Sequence, residues 1–463
     1  NILNDNKKIF SNLFLSKLPF PYDFYDQFSK LEANYFPSIT SFYNKLTEEN
    51  ISEEDYNKAR EVYVKTNCRT MGDFMTVYLR LDIALTSDVI MIFRKFIMQH
   101  FKIEICQAYS MPGVALRALQ VHMIEQKKTE IHYLTDVEQY RMISQCLRGG
   151  LAGVSTKYLT ANNRYLPETY DPTQAETFIF SVDYNQLYST CQRSKMPVSD
   201  FNWVATDELE RIMKNPLQVL ESDYSMSTDH GLFLEVDIFY PKAIHDYFAD
   251  LPILEEKFTI TEEILSPFSK LQHDHYEKLK FNINKTTSEK TPFPPAERLV
   301  STLYPKTKYV LHSHNLIYAL KKGLKLTKIH RAISFTQKAV LKDFIDKCIS
   351  LRVQYSEKNT LLATNLKLMG NSLYGKFIEN QMKKLIFLLI NNSSKLEKAL
   401  VKPQFEEALI FTEDLVGVRM RKNTVKLQTP IAIGAAILQL SKILMLEVIT
   451  ILFLFFLLLT TVN

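Results

Sequence analysis

The sequence of 463 residues combines a nearly balanced charge with a scarcity of glycine, of which there are 11. Lys and Arg number 56 and Asp and Glu 51, so the net charge of +5 neither requires nor excludes a polyanionic partner. A hydrophobic fraction of 46% with 12% aromatic residues excludes a disordered or collagen-like chain. At about 150 residues per domain, the length predicts roughly three domains. The sequence opens on Asn1 rather than methionine, so we expect a fragment.

The five cysteines are scattered and predict no zinc site. The closest two, Cys68 and Cys106, are 38 positions apart, which excludes the paired spacing of zinc ligands. We therefore expect reduced cysteines packed in cores, as in intracellular proteins. The other three are Cys146, Cys191 and Cys348.

Hydrophobic periodicity predicts the elements of the first half of the chain. Apolar residues three or four apart predict a helix from Thr70 to about Phe101. A second helix is predicted over Leu134–Leu147, and Arg148-Gly149-Gly150 signals its end. The β-rich run Thr177–Val182 reads as a buried strand that ends at Asp183.

The second half alternates strands and helices before an apolar end. A strand is predicted at Tyr309–His312, and helices are predicted over Leu341–Arg352 and Thr360–Ile378. In the run Val448–Leu459, every residue except Thr450 is apolar. This run is shorter than the roughly 20 residues of a membrane span, so we expect no membrane insertion.

One helix face combines a cation, an amide and an aromatic ring. At 100° per residue, Lys367, Asn371 and Tyr374 fall within about 60° of one another on the predicted helix. An ammonium suits phosphates and a ring suits a base, so this face fits a nucleoside triphosphate. The simpler interpretation is a solvated face of mixed polarity, and for this face alone that interpretation is favoured.

Two further constellations contain a carboxylate and a tyrosine. Asp183 at a predicted strand end is placed to hold Mg²⁺ with a substrate phosphate, and Tyr188 follows five residues later. Asp183 serves equally well as a helix cap. Tyr78 and Asp82 lie one helical turn apart on the same face of the predicted helix. A carboxylate and a phenol placed in this way can hold a metal ion and orient a water for phosphodiester hydrolysis. Taken alone, a core tyrosine with an aspartate at its edge is the favoured interpretation.

The order of these constellations resembles that of the protein-primed family B DNA polymerases of bacteriophages, adenoviruses and Maverick/Polinton-like mobile elements. Lys367, Asn371, Ser372, Tyr374 and Gly375 match every fixed position of polymerase motif B, KxxxNSxYG. The resemblance covers residues 18–447, nearly the whole chain.

Three more motifs support the resemblance by their order around motif B. The segment from Asp183 to Tyr188 resembles motif A, DxxSLYP, with Gln186 at the usual serine. The pair Tyr78 and Asp82 resembles the third exonuclease motif. Arg148-Gly149-Gly150 resembles the YxGG linker between the exonuclease and polymerase modules, with leucine in place of its tyrosine. The helix that ends near Arg352 resembles the first helix of the fingers.

The resemblance implies a role for each matching residue. Asp183 would bind the catalytic Mg²⁺ ions of a two-metal site, and Tyr188 would exclude a ribose 2′-OH. Lys367 and Arg352 would contact the phosphates of the incoming nucleotide, and Asn371 and Tyr374 would line the nascent base pair. Contacts to DNA would come from Arg148, Gly149, Gly150 and Gly375.

The implied fold is α+β, a right-hand polymerase with palm, fingers and insertions, preceded by part of an RNase H-like 3′-5′ exonuclease domain. We expect these parts at 1–145 (exonuclease-like), 146–200 (linker and first palm segment with motif A), 201–335 (terminal-protein-region-like insertion and palm), 336–380 (fingers with motif B), 381–447 (second insertion and palm) and 448–463 (apolar tail). Implied partners are a DNA template and primer, dNTPs and a terminal priming protein. The two insertions would support priming and strand displacement.

The sequence departs from the family at its second metal ligand. No Asp-x-Asp occurs in residues 380–463, where motif C, YxDTDS, is expected. The chain also begins too late to hold the first two exonuclease motifs. We therefore expect a polymerase fragment, truncated at both ends and inactive in chain elongation. The alternative is a catalytically dead remnant that binds nucleotides or nucleic acid; a weaker rival is a protein inserted into a membrane by its tail.

Overall fold

The computed structural model describes residues 14, 16–126, 130–150, 152–153, 158–284, 296–357 and 359–461. The chain forms two compact units, Asn1–Gln107 and Ala108–Asn463. Both helices and antiparallel sheets are present, so the predicted α+β class is confirmed. The boundary between the units precedes the domain boundary that was predicted at residue 145.

The described part of the first unit packs the helices α1 (Glu53–Lys65) and α2 (Met71–Phe101) around an aromatic core. The predicted helix ending at Phe101 is confirmed, and it begins with a capping box in which Thr70 and Asp73 satisfy each other's backbone N–H groups. Phe74 and Tyr78 are buried in this core. Short 3-10 helices complete the unit at Tyr22–Phe24, Phe28–Glu32, Ile39–Phe42 and Ile105–Gln107.

The described part of the second unit contains eleven α-helices. They are α3 (Met111–Glu125), α4 (Val137–Ser144), α5 (Leu187–Gln192), α6 (Thr206–Lys214), α7 (Pro216–Asp223), α8 (Pro267–Asn284), α9 (Ser313–Lys321), α10 (Lys342–Tyr355), α11 (Thr360–Phe377), α12 (Ser393–Leu400) and α13 (Ile431–Thr461), with 3-10 turns at Lys242–Ile244, Glu262–Ile264 and Gln381–Lys383. Helices α10 and α11 confirm the two helices predicted around the motif B segment. Helix α4 is shorter than predicted, because Asp136 caps it by accepting a hydrogen bond from the Glu138 N–H at 2.7 Å.

Nine strands form three antiparallel sheets among the residues of this unit that the structure describes. The strands are β1 (Met196–Trp203), β2 (His230–Phe239), β3 (Glu255–Ile260), β4 (Ala296–Ser301), β5 (Lys306–His312), β6 (Lys325–Lys338), β7 (Leu385–Ile390), β8 (Phe405–Thr412) and β9 (Leu415–Arg421). A four-stranded sheet has the order β1-β6-β2-β5, β3 pairs with β4, and a small sheet has the order β7-β9-β8. Strand β5 confirms the strand predicted at Tyr309–His312.

Strand β2 lies inside the four-stranded sheet and is buried on both faces. Leu232, Leu234 and Val236 point into the main core, which α6, α7 and α9 help to cover. The alternate residue Phe233 packs on the opposite face against Phe335, with ring centroids 5.1 Å apart. A strand covered on both faces fixes its register, because a shift by one residue would exchange the two faces.

Helix α13 runs through the centre of the second unit. Its residues Ile431 to Ile443 are almost all buried, and it contacts α4, α5, α9, α11, β1 and β5. The apolar tail predicted from Val448 onward continues this helix to Thr461, and residues 462 and 463 lie outside the described part. Among the described residues, the stretch Ile431–Thr450 is long and apolar enough to cross a membrane, but 67% of it is buried in the protein. That burial favours a core helix.

A buried ion cluster ties α13 to strand β3 and to the end of α4. The Lys442 ammonium contacts the Glu255 carboxylate, and the Arg148 guanidinium lies 3.8 Å from the same carboxylate. Burial lowers the pKa of Lys442, while the Glu255 charge opposes that shift. Removal of one member would leave an uncompensated charge in the interior, which is strongly destabilising.

Close approach of α13 to the end of α11 depends on Gly434. A β-carbon at this position would collide with the Ile378 side chain and lie 3.3 Å from Phe377 Cβ. We expect Gly434→Ala to lower the free energy of unfolding by about 1–3 kcal/mol, because the packed helices have to move apart. Urea unfolding measures this change. Gly153→Ala is the control, since its β-carbon would meet no atom within 4 Å, and an equal loss in both variants would contradict the assignment.

His312, the last residue of β5, is fully buried against Phe233 and Phe335. Its Nδ1 accepts a hydrogen bond from the His314 N–H at 3.1 Å and so caps α9. Burial lowers the pKa of His312 from 6.5 to about 3. The folded protein therefore holds a neutral imidazole at pH values where the unfolded chain binds a proton.

This histidine should make the fold sensitive to acid. Its contribution is complete above pH 6.5 and is lost as the pH falls towards 3, at about 1 kcal/mol per pH unit. We expect His312→Asn, which keeps a capping acceptor but does not titrate, to reduce the slope of unfolding free energy against pH between 6 and 4. Urea titrations at several pH values measure the slope. An unchanged slope would show that other groups cause the acid sensitivity.

Candidate nucleotide-binding site

Helices α5 and α11 are joined by a buried polar contact. The Gln192 side-chain amide donates a hydrogen bond to the Gly370 carbonyl at 2.9 Å. The Ser189 hydroxyl lies 3.4 Å from Asn371 Oδ1. A β-carbon at position 370 would lie only 2.9 Å from Ser189 Oγ, so glycine is what lets the two helices come this close.

Two tyrosines, one from each helix, stack on the outer side of this contact. The Tyr188 and Tyr374 rings have centroids 4.5 Å apart and planes inclined by 9°. Burial raises the pKa of Tyr374, and the neighbouring Tyr188 adds to the shift. The two residues come from segments 186 positions apart in the sequence, so the stack is a tertiary contact that no local pattern encodes.

Helix α10 lies beside α5 and α11 and lines a small crevice with them. Arg352 lines this crevice together with Gln186, Ser189 and Gly370. Gln186 precedes α5 in a left-handed backbone conformation, with φ of 60° and ψ of 44°. A residue other than glycine in this conformation stores strain, which the surrounding contacts of α5 have to stabilise. The crevice therefore contains Arg352 and residues of the two stacked helices.

Asp183 and Lys367 are both exposed. Asp183 belongs to the irregular segment that leads into α5, and its side chain is exposed. Lys367 is exposed on α11, one turn before Asn371. Their convergence on one triphosphate-sized cleft stays a prediction.

The strand predicted at Thr177–Val182 is wrong. This segment is irregular and pairs with no strand in the described part of the chain. Its apolar side chains are open to solvent, with Ile179 61% and Phe180 63% exposed. A β-prone composition is insufficient here, because a strand forms only when a neighbouring strand accepts its backbone hydrogen bonds.

Arg148, predicted to contact DNA, is instead held by protein groups. Its guanidinium donates to the Val310 carbonyl at 2.7 Å and lies 3.8 Å from the centroid of the Tyr309 ring. Only 10% of the Arg148 side chain is exposed, and Glu255 supplies its counter-charge. The two glycines that follow have no side chain to be held in this way. Gly149 has a positive φ of 99°, and a β-carbon added at Gly150 would meet no atom within 4 Å.

Lys306, the first residue of β5, is also held by protein groups. Lys306 is buried, and its ammonium contacts Glu256 at 2.5 Å, which removes it from any surface that binds DNA.

The exonuclease-like pair lies in the first unit. The Tyr78 hydroxyl contacts the Tyr22 hydroxyl at 2.5 Å, and the Tyr78 ring stacks on Phe20 at 4.3 Å. Burial raises the pKa of Tyr78. Asp82 lies one turn further along α2 and is half-buried. These contacts agree with the simpler interpretation of a core tyrosine with an aspartate at its edge.

Sequence comparison decides the family. The profile of the family described as "DNA polymerase type B, organellar and viral" matches residues 1–451. The chain belongs to this family of DNA polymerases. A comparison with curated protein sequences gives no match.

Solved structures of Phi29 DNA polymerase are similar to this type B polymerase chain. An orthorhombic crystal form is 14% identical with a TM-score of 0.43, and a ternary complex with primer-template DNA and incoming nucleotide is 15% identical with a TM-score of 0.39. Each match covers 92% of this chain and 55% of the Phi29 chain. The type B chain thus spans about half the length of those polymerases.

Polymerases of this family use Mg²⁺, and the described residues fit only part of a two-metal site. Asp183 offers one exposed carboxylate. The described part of the chain has no group of three or more His, Cys, Asp and Glu side chains that would hold a metal ion. Two Mg²⁺ ions at 3.5–4 Å require shared carboxylates to offset their repulsion. A pair of ions therefore does not fit these residues, and we derive no step through them.

Sequence reasoning missed the residues that join α5 to α11. Gln192 and Gly370 lie outside the fixed motif positions, yet their hydrogen bond holds α5 against α11. The scarcity of glycine was an available signal, since one of only 11 glycines stands immediately before Asn371. Gln192, fully buried, had no distinguishing pattern around it.

The tyrosine stack predicts a measurable coupling between the two motifs. In a double-mutant cycle, Tyr188→Leu and Tyr374→Leu should show an interaction free energy of about 0.5–1.5 kcal/mol, because each substitution removes the same ring contact. Urea unfolding of the four proteins measures it. Tyr188→Leu combined with Tyr158→Leu, whose ring is 83% exposed, should be additive. Additivity of the first pair would contradict the stacked geometry.

Proposed function

We propose that this chain is part of a DNA-directed DNA polymerase of the protein-primed type, which adds dNTPs to a primer 3′-OH on a DNA template during replication of a virus or mobile element. The observation that carries the proposal is the packing of α5 against α11, with Tyr188 stacked on Tyr374. This packing brings the motif A and motif B segments side by side, as a nucleotide site built from both requires.

The proposed residue roles are those that the resemblance implies, and this packing supports them. Lys367 and Arg352 bind the triphosphate, since two cations can neutralise its charge while the substrate is positioned. Tyr188 lies under the sugar and excludes a 2′-OH, and Asn371 and Tyr374 line the nascent base pair. For that base pair to enter, the stacked tyrosine rings have to separate. Asp183 would offer one carboxylate to a Mg²⁺ ion that accompanies the triphosphate.

DNA contacts are proposed at glycines and not at Arg148. Gly149, Gly150 and Gly375 carry no side chain, and the positions of the last two leave open space, so a phosphate backbone can approach them closely. The Arg148 guanidinium is already paired inside the protein and has a structural role. We assign no hydrolytic role to Tyr78 and Asp82.

The larger modules are proposed in the order given by the sequence: exonuclease-like region, first palm segment, first insertion, fingers, second insertion and palm. A terminal priming protein is a proposed partner, and both insertions are proposed to support priming and strand displacement.

A second candidate function is binding without catalysis. The lone carboxylate of Asp183 favours it, because chain elongation needs a second metal ligand that residues 380–463 do not supply as Asp-x-Asp. In this case the chain binds nucleotide and DNA but extends no primer.

Nucleotide binding tests both candidates. We expect Lys367→Ala to weaken binding of Mg²⁺·dATP at least tenfold in isothermal calorimetry, because the ammonium contacts the phosphates. The matched control is Lys376→Ala on the same helix, whose ammonium is already paired with Glu379 at 2.8 Å and should not affect affinity. Equal affinities of the wild type and Lys367→Ala would remove the nucleotide-site assignment.

Primer extension in the same preparations separates the candidates. Extension that disappears in Asp183→Ala would establish a polymerase and reject the binding-only function. Nucleotide binding with no extension in the wild type would establish the binding-only function for this chain.

A further inference from the structure

Helices α5 and α11 run antiparallel and meet at two successive contacts. Tyr188 and Gln192 lie one turn apart on α5, and their respective partners Tyr374 and Gly370 lie one turn apart on α11 in the reverse order. The outer contact is a pair of stacked rings, and the inner contact is a buried hydrogen bond. Together the two contacts define where along α11 the short helix α5 lies.

The buried face of α11 does not by itself fix this alignment. Apolar residues recur on that face at nearly every turn, and they are Leu362, Leu366, Met369, Leu373 and Phe377. Because apolar contacts are non-directional, a face that repeats in this way resists a small sliding or rotation only weakly. Gly370 lets α5 approach closely, but a missing β-carbon attracts no partner.

Gln192 supplies the directional contact that this face lacks. Its side chain is completely buried, and its amide donates a hydrogen bond to a single carbonyl, that of Gly370, at 2.9 Å. In a helix the same carbonyl also accepts the N–H of the residue four positions later, which is Tyr374. The Gln192 amide therefore holds the turn of α11 that carries Asn371 and ends at Tyr374.

The Gln192 amide uses only its donor side. Its Oε1 is buried and has no hydrogen-bond partner among the described residues, and a buried acceptor in this state is destabilising. An apolar side chain of the same length would remove this acceptor, and the Gly370 carbonyl would still be bonded within its helix. Buried polar groups that do not favour stability can instead specify how packed helices align.

We propose that Gln192 is a positioning residue of the nucleotide site, which aligns α11 with α5 through the Gly370 carbonyl. Lys367 lies one turn before Gly370 and Tyr374 lies one turn after it, so one hydrogen bond aligns the proposed phosphate and base-pair residues together. When the tyrosine rings separate to admit a base pair, this contact holds the two helices in place. The positioning role rests on the proposed function, whereas the alignment of the helices does not.

The test replaces Gln192 by methionine, which keeps the length of the side chain and removes both its donor and its unpaired acceptor. We expect Gln192→Met to bind Mg²⁺·dATP at least fivefold more weakly than the wild type in isothermal calorimetry. Its urea unfolding midpoint should stay equal to that of the wild type or rise, because the substitution conserves volume and buries no unpaired group.

The matched control is Gln139→Met in the same unit. Gln139 is also buried, and its amide donates a hydrogen bond to the Phe201 carbonyl at 3.2 Å, between α4 and β1. We expect this substitution to leave the dATP affinity unchanged, since it removes a buried amide that joins neither α5 nor α11.

A fluorine label reports the alignment in the absence of nucleotide. The ring current of Tyr188 should shift the fluorine resonance of 3-fluorotyrosine placed at position 374, and Tyr188→Leu gives the unshifted reference. We expect Gln192→Met to move the resonance towards that reference and Gln139→Met to leave it in place. A side chain that only stabilised the fold would change the unfolding midpoint and not this resonance.

Three outcomes would overturn the proposal: an unchanged resonance in Gln192→Met, equal dATP affinities of Gln192→Met and the wild type, or a lower unfolding midpoint, which would make Gln192 a structural tie. A wild type that binds no nucleotide would instead reject the proposed function and with it the positioning role. The fluorine resonance would then still show whether Gln192 aligns the two helices.

Discussion

The second unit depends on the burial of the first half of α13. Ile433, Ala435, Ala436 and Ile437 are completely buried, so each turn of this half-helix faces protein on all sides. Such a helix cannot shift alone, because it contacts α5 and α11 as well as the strands at both edges of the main sheet. The positions of Tyr188 and Tyr374 relative to each other are therefore set partly by a helix that contains neither residue.

The spacing of apolar residues was sufficient to predict helices, but it did not predict how the helices contact one another. Helices α2, α10 and α11 follow from apolar spacing, and their capping residues lie beside them in the sequence. The contacts of Arg148, in contrast, depend on a residue far along the chain, because its carboxylate partner is Glu255. The short motif from which we predicted a DNA contact contains no information about this partner. For Thr177–Val182, composition favoured a strand, but pairing depends on a neighbour that composition does not encode.

In the candidate site, too, the sequence predicted a helix but not the contacts between helices. The motif B pattern placed Lys367, Asn371 and Tyr374 on one helix face, and α11 bears this out as a helix. The stack with Tyr188 and the Gln192–Gly370 hydrogen bond depend on how two helices pack, which the sequence specifies only through the whole fold. Nucleotide recognition by these residues stays a proposal, and among the described residues no group of three or more His, Cys, Asp and Glu side chains could hold a metal ion.

The open segment before α5 has a consequence for the behaviour of the protein in solution. Phe178, Ile179, Phe180 and Val182 expose apolar side chains on an irregular stretch of the described chain. Neighbouring exposed apolar side chains favour association between molecules. A net charge of only +5 gives little electrostatic repulsion between molecules. Association at high concentration should therefore begin at this segment, and it would cover Asp183 and the start of α5.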